Sequence, residues 1–189
     1  LLSRRAVVAE LMKDRGEMLV VSGLGSPTYD LMATGDHDLN YYLWGAMGGA
    51  AMIGLGLAKT NPERSVLVIT GDGEMLMGMG SFATIAVQAP QNLTIVILDN
   101  GHYGETGMQL SHSGRGVYLD HVAKSVGFEK SWRITTMAEV GDLRRHIHAK
   151  DGMGCAAITI NSADIERVLP SRDGVHIKNR FKQALGQSL

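Results

Sequence analysis

At 189 residues, 44% apolar and 20% charged, the chain has the make-up of one globular domain with a full core. A net charge of −1 leaves no footprint for nucleic acid or an acidic membrane surface. A single cysteine, Cys155, excludes a disulfide framework, no apolar run reaches the length of a membrane span, and the opening LLSRRAVVAELMK shows no cleavage-site pattern; the expected location is the cytoplasm.

Taken in order, residues 3–14 place Ala6, Val7, Leu11 and Met12 at helical spacing, and Arg15-Gly16 ends that helix. Met18–Val21 reads as a buried strand running into Ser22-Gly23-Leu24-Gly25-Ser26-Pro27. Such a loop either turns a strand into a helix or meets an anion through its N–H groups. Residues 29–32 start a short helix, and 36–42, polar then aromatic, read as loop. Residues 44–59, WGAMGGAAMIGLGLAK, predict a buried helix of small residues that lets its neighbours come close. Gly54-Leu55-Gly56 follows no strand and Ala58-Lys59-Thr60 lacks preceding glycines, so neither is a nucleotide motif.

The strand 65–70 ends in Gly71-Asp72-Gly73, a crossover helix follows over 81–88, and the strand 93–98 ends in Asp99-Asn100-Gly101. Joined by one crossover, the two strands are parallel and open at the same sheet edge, where open α/β sheets bind ligands. Asp72 alone reads equally as a helix cap or a cation ligand. Asn100, separated from Gly73 by 26 residues, favours the ligand: a carboxylate, an amide oxygen and a carbonyl leave Mg²⁺ room for a diphosphate. Residues 101–116, with five glycines, form a long loop over that edge. Further on come a helix over 119–125, a possible strand near 131–134, and a capping box, Thr136-Met-Ala-Glu139, opening a helix to about His148. His146 and His148 read as surface residues. A buried strand over 155–160, an irregular stretch over 161–173 and an amphipathic helix over 175–185 close the chain. The pattern is α/β: a doubly wound, mostly parallel sheet with helices on both faces.

Gly71-Asp72-Gly73 followed by Asn100 resembles the signature of the thiamine diphosphate (ThDP) enzymes, with Asp99 in place of that signature's first asparagine. Trp44-Gly45-Ala46-Met47-Gly48 resembles the segment that holds the aminopyrimidine in that family, and Gly25-Ser26 the diphosphate loop. The resemblance covers nearly the whole chain and implies the ThDP-binding fold, with residues 1–189 as one diphosphate-binding domain. It implies that Asp72 and Asn100 ligate Mg²⁺ by side chain and His102 by its carbonyl. It places Gly25, Ser26, Gly73 and Glu74 on the diphosphate, the Gly45 carbonyl on the 4′-amino group, and Met47 as an apolar wedge under the bent cofactor. Gly71 and Tyr103 complete the cofactor-binding set. Without the motif, Met47 would read as core filler.

The family also needs a glutamate at N1′ of the pyrimidine, on a separate pyrimidine-binding domain. Glu10, Glu17 and Glu63 lie in segments unlike that site. The expectation is therefore a heteromer, in which an alpha-type subunit brings the pyrimidine-binding domain and the glutamate. The loop DNGHYGETGMQ (99–109) resembles that of sulfopyruvate and phosphonopyruvate decarboxylases, some of which split into two subunits. This implies decarboxylation of a small 2-oxo acid bearing a second anion at C3, with release of CO₂ and an aldehyde. Met47, His102, Thr106 and Gln109 are the implied catalytic residues; His112 and Arg115 read equally as solvated loop. The alternatives are a ThDP carboligase or 2-oxo acid oxidoreductase subunit, or a cofactor-binding subunit that turns nothing over.

Overall fold

A computed structural model describes residues 1–188. Six parallel strands form one sheet in the order β2-β1-β3-β4-β8-β7: β1 Leu19–Ser22, β2 Asn40–Tyr42, β3 Val66–Gly71, β4 Leu93–Asp99, β7 Lys130–Ile134 and β8 Gly154–Thr159. A two-stranded hairpin, β5 His102–Tyr103 and β6 Gln109–Leu110, stands apart within the glycine-rich loop.

The strands are apolar on both faces because both faces are covered. Val66 and Val68 of β3 pack into one core with Ala51, Leu55, Phe82 and Ala123; Leu67 and Ile69 pack into the other with Val8, Leu11, Val140 and Leu143. The first core lies under α3 (Ala50–Thr60), α5 (Ser81–Gln88) and α6 (Leu119–Ser125), the second under α1 (Arg4–Leu11) and α7 (Met137–Ala149). Helices therefore cover both faces of the sheet: those that follow β2, β3 and β4 lie on one face and α7, which follows β7, on the other, which is the doubly wound arrangement expected from the sequence. α2 (Ser26–Met32), α4 (Asp72–Met77) and α8 (Gly174–Ala184) complete the chain. The small residues of α3 serve contact: a Cβ on Gly54 would come within 2.3 Å of Val68 Cγ2 on β3.

Most elements fall where the sequence places them, including the strand at 130–134 and the reciprocal Thr136–Glu139 capping box. Three expectations need correction. Residues 40–42 form the edge strand β2 rather than loop, paired in parallel with β1. The helix expected from Trp44 starts only at Ala50, because Gly45 (φ 75°) and Ala46 (φ 46°) are left-handed, a conformation no α-helix accommodates. His146 is half-buried, its ring edge-on to Trp132 at 4.9 Å, because β7 runs beneath α7. No helix among the described residues is long and apolar enough to cross a membrane.

Candidate active site

Gly71 at the end of β3 pairs with Leu98 of β4, so Asp72 and Asn100 leave neighbouring strands at the same edge. Asp72 is the first residue of α4. The cap position is Gly71 and no side chain caps the helix, so the cap reading of Asp72 falls. Asp72 is 3% exposed, and its Oδ2 accepts from the hydroxyls of Ser111 (2.5 Å) and Ser113 (2.9 Å). Ser113 also lies 2.7 Å from Asp99 Oδ1, so one hydroxyl proton serves two carboxylates. Burial pushes the Asp72 carboxyl above its ordinary range; the Ser111 hydroxyl opposes this, and the Asp99 charge adds to it. No lysine or arginine pairs with Asp72 among the described residues.

A buried carboxylate next to a second carboxylate, with only hydroxyls and a backbone N–H for partners, is suited to a cation. The donors at hand are hard. Asn100 lines the same cleft, and its Oδ1 accepts one bond, from His102 N–H (2.9 Å), which leaves a lone pair. No group of three or more His, Cys, Asp or Glu side chains gathers among the described residues. The donor set is thus one carboxylate, one amide oxygen and backbone carbonyls, which suits Mg²⁺ sharing its coordination with phosphate and water rather than zinc.

Glu74, one turn into α4, does something different. It is 4% exposed, and burial raises its carboxyl, against donors that hold it in place. Thr70 Oγ1 (2.9 Å) and Leu24 N–H (3.1 Å) donate to Oε2, and Gly48 N–H (3.3 Å) to Oε1. One side chain therefore ties the loop after β1 and the loop before α3 to β3. Gly23 is what admits it, since a Cβ there would lie 1.7 Å from Glu74 Oε2.

These elements bound a cleft of about 190 Å³. Ser26, Gly71, Asp72, Gly73, Glu74 and Asn100 line it on the strand-end side, and Met47, His102, Tyr103 and Thr106 on the other. Met47 is 37% exposed and also borders a second, shallower cleft with Met77, Met79 and His112, so it is no core filler. A Cβ on Gly73 would come within 2.8 Å of the Tyr103 ring and 3.6 Å of Met47 Cε, so the glycine lets both close over α4.

Gly25, Gly45 and Gln109 do not line the cleft. Gly25 is buried with φ +77° beneath Glu105, and Gly45 is exposed in the loop before α3. Gln109 closes the β5–β6 hairpin on Thr106, donating from Nε2 to Thr106 O (2.9 Å) and accepting from Thr106 Oγ1 (3.0 Å). Tyr103 Oη and His112 Nδ1 share a hydrogen bond of 2.7 Å, which ties the hairpin to the segment after it.

Sequence reasoning missed Ser111 and Ser113, the partners of Asp72, and also Arg4 and Glu105, which line the cleft. The serines lie in the loop that the glycine content had marked as a cover. Arg4 carried no signal, as one of several charges on an amphipathic helix.

The model of the family described as thiamine pyrophosphate enzyme, C-terminal TPP binding domain, matches residues 25–164. The chain is 41% identical over 124 residues to sulfopyruvate decarboxylase subunit beta of Methanocaldococcus jannaschii, covering 65% of each chain. It is 34% identical over 177 residues to phosphonopyruvate decarboxylase of Streptomyces viridochromogenes, covering 93% of this chain and 43% of that one. The chain thus spans between about two fifths and two thirds of the length of these relatives. Among solved structures, a ThDP-dependent 4-hydroxybenzoylformate decarboxylase from Rhodococcus jostii RHA1 superposes with a TM-score of 0.74 at 18% identity, over 87% of this chain and 33% of that one. That likeness is one of fold.

Proposed function

The chain belongs to the thiamine pyrophosphate enzymes, as their C-terminal TPP-binding domain, and from that premise we propose that it is the diphosphate-binding subunit of a ThDP- and Mg²⁺-dependent decarboxylase. The substrate class is a 2-oxo acid with a second anion at C3, of the sulfopyruvate or phosphonopyruvate type. The observation that carries the reading is Asp72, a buried carboxylate without a cation, facing a cleft it shares with Asn100. The names of the relatives and the 99–109 loop support the substrate class.

Thiamine diphosphate, when bound, supplies the electron sink that takes up the charge left when CO₂ departs. What this chain contributes is placement. Asp72 and Asn100 would hold Mg²⁺ through side-chain oxygens, with the His102 carbonyl as a further ligand. The Ser111 and Ser113 hydroxyls fix the Asp72 rotamer, so the ligand is set before metal arrives. Ser26, Gly73 and Glu74, which line the cleft, would meet the diphosphate through N–H and hydroxyl groups, with Gly25 shaping the turn into Ser26, and Glu74 also keeps the surrounding loops in register through its carboxylate. Gly71 and Tyr103, which also line the cleft, would border the cofactor. The Gly45 carbonyl would accept from the 4′-amino group, and Met47, at the cleft mouth, would set the bend of the cofactor. The β5–β6 hairpin, carrying His102, Tyr103 and Thr106, covers the cleft and limits water, with Gln109 holding Thr106 in place.

The acid at N1′ and the pyrimidine-binding face are assigned to an alpha-type partner in a cytoplasmic hetero-oligomer. The word "beta" in a relative's name supports a partner. So does the exposed apolar rim beside the cleft, where Met77 and Met79 are 66% and 40% exposed. The test is calorimetry with ThDP and Mg²⁺ on the chain assembled with its partner. Binding that disappears in Asp72→Ala is expected, and binding unchanged by it would sink the reading. Product analysis then decides the reaction: an aldehyde from sulfopyruvate or phosphonopyruvate supports decarboxylation, and an acetolactate-type product from pyruvate points to carboligation.

A further inference from the structure

Leu2 pairs in parallel with Ile160 just beyond β8, and Asn161 N–H donates to Leu2 O at 2.8 Å. The chain therefore enters α1 at the sheet edge that carries the site. Arg4, the first residue of α1, is 7% exposed and lines the cleft beside Ser26 and Asp72. Its Nη1 donates to Asp30 Oδ2 (2.7 Å) and approaches Ser26 O (3.5 Å). Its Nε and Nη2 have no acceptor among the described residues and are not sealed from solvent, in a residue that lines the cleft.

The charge around it does not balance. Asp30 is fully buried and takes a second guanidinium, Arg5 Nε at 3.1 Å. Two arginines on one carboxylate leave one positive charge in excess. Burial raises the Asp30 carboxyl against the pull of both arginines, and protonation there would only enlarge the excess. Arg5 turns away and donates to Glu166 O (2.7 Å). Among the described residues, Arg4 is the only lysine or arginine that lines the cleft. A guanidinium held almost out of water, with donors to spare, favours an anion, and its planar fork fits two oxygens of one phosphate.

We propose that Arg4 is a cofactor-binding residue that donates to the terminal phosphate of a diphosphate group in the cleft, on the Ser26 side. Arg4 lies outside the residues that the family model matches. The assignment rests on the reading of the cleft as a ThDP site and deepens it: the diphosphate is neutralised from two directions, by the metal at Asp72 and Asn100 and by this guanidinium.

The test is calorimetry of the native assembly, stripped of metal and cofactor, with Mg-pyrophosphate and with Mg-ThDP. Arg4→Met is compared with Arg5→Met, since each removes one arginine from Asp30 and only Arg4 lines the cleft. Arg4→Met is expected to weaken both probes about tenfold or more, as befits a lost charge-assisted bond, with partial recovery in Arg4→Lys. Arg5→Met stays within about twofold of wild type. Equal losses in the two variants would make Arg4 a fold residue only and overturn the proposal. So would unchanged diphosphate affinity with a raised KM for the anionic 2-oxo acid, which would give Arg4 to the substrate. Wild-type protein that binds pyrophosphate but not ThDP defeats the cofactor reading alone, and Arg4 is then judged on pyrophosphate. Binding of neither defeats both.

Discussion

Four acids are buried among the described residues, and they divide by place in the fold. Asp30, on α2, faces Arg4 and Arg5, and Asp120, on α6, faces Arg133. Asp72 and Glu74, just past β3, meet only hydroxyls and backbone N–H groups. The first pair are charges the fold has already neutralised. The second pair differ from each other as well. Glu74 is surrounded by donors and works as a strut, whereas Asp72 shares its Ser113 donor with Asp99 and opens to the cleft. A carboxylate kept buried at a cost, beside a cleft and without a cation, marks where a cation belongs.

The largest effect should come from setting Asp72 against Asp120. Asp72→Asn keeps the shape and removes the charge, so Mg²⁺-dependent cofactor affinity should fall by more than the roughly 10–100-fold typical of losing a metal's outer partner. Metal-free stability should hold or rise, because an uncompensated buried charge is gone. Asp120→Asn should do the reverse, costing about 1–3 kcal/mol in chemical denaturation and leaving cofactor affinity alone. If both variants behaved alike, the division of the four acids would mean nothing.

Glu74 can be broken without touching it. Gly23→Ala places a methyl where Glu74 Oε2 sits, and must either expel the carboxylate or shift the β1 loop. The expected loss is about 1–3 kcal/mol of unfolding free energy, read by chemical denaturation. A neutral Gly23→Ala would show that Glu74 can leave its donors cheaply. Met47→Ala is a smaller and differently shaped effect. Turnover should drop by about tenfold with cofactor Kd nearly unchanged, because a wedge sets geometry while the metal sets binding. A variant that lost affinity and kept its turnover would contradict that role.

Legibility followed the range of the interactions. The strands β1, β3, β4 and β8 are apolar runs ended by glycine or polar residues, and a local pattern suffices for those. Asp72 and Asn100 were legible because one βα unit fixes their relation. β2 was not, since Asn40-Tyr41-Tyr42 earns its strand state only by pairing with β1. The loop before α3 was hidden because Ala46, an ordinary helix former, is left-handed there. Ser111 and Ser113 reach Asp72 across 39 and 41 residues, and Arg4 reaches Asp30 across 26. Contacts of that reach leave no periodicity to read.

His146 supplies the smallest prediction, on the side of the sheet away from β3. Its Nε2 is buried without a partner against Trp132, and burial first, then the Lys130 charge, lower its pKa from 6.5, with Asp151 opposing. The unfolded chain, titrating at the ordinary value, binds the proton more readily than the folded one. Stability from this group is therefore complete above about pH 6.5 and is lost as pH falls through the lower folded value. Asp72 and Glu74, with raised carboxyls, act in the opposite sense, and comparing wild type with His146→Phe cancels them. The phenylalanine keeps the edge-on contact with Trp132 and cannot take a proton. Denaturation midpoints followed downward from neutral pH should fall less steeply in His146→Phe than in wild type. Parallel slopes would mean that the ring takes its proton in the folded state without penalty, and that the distal half of the sheet, unlike the half at β3, holds no group whose charge the fold resists.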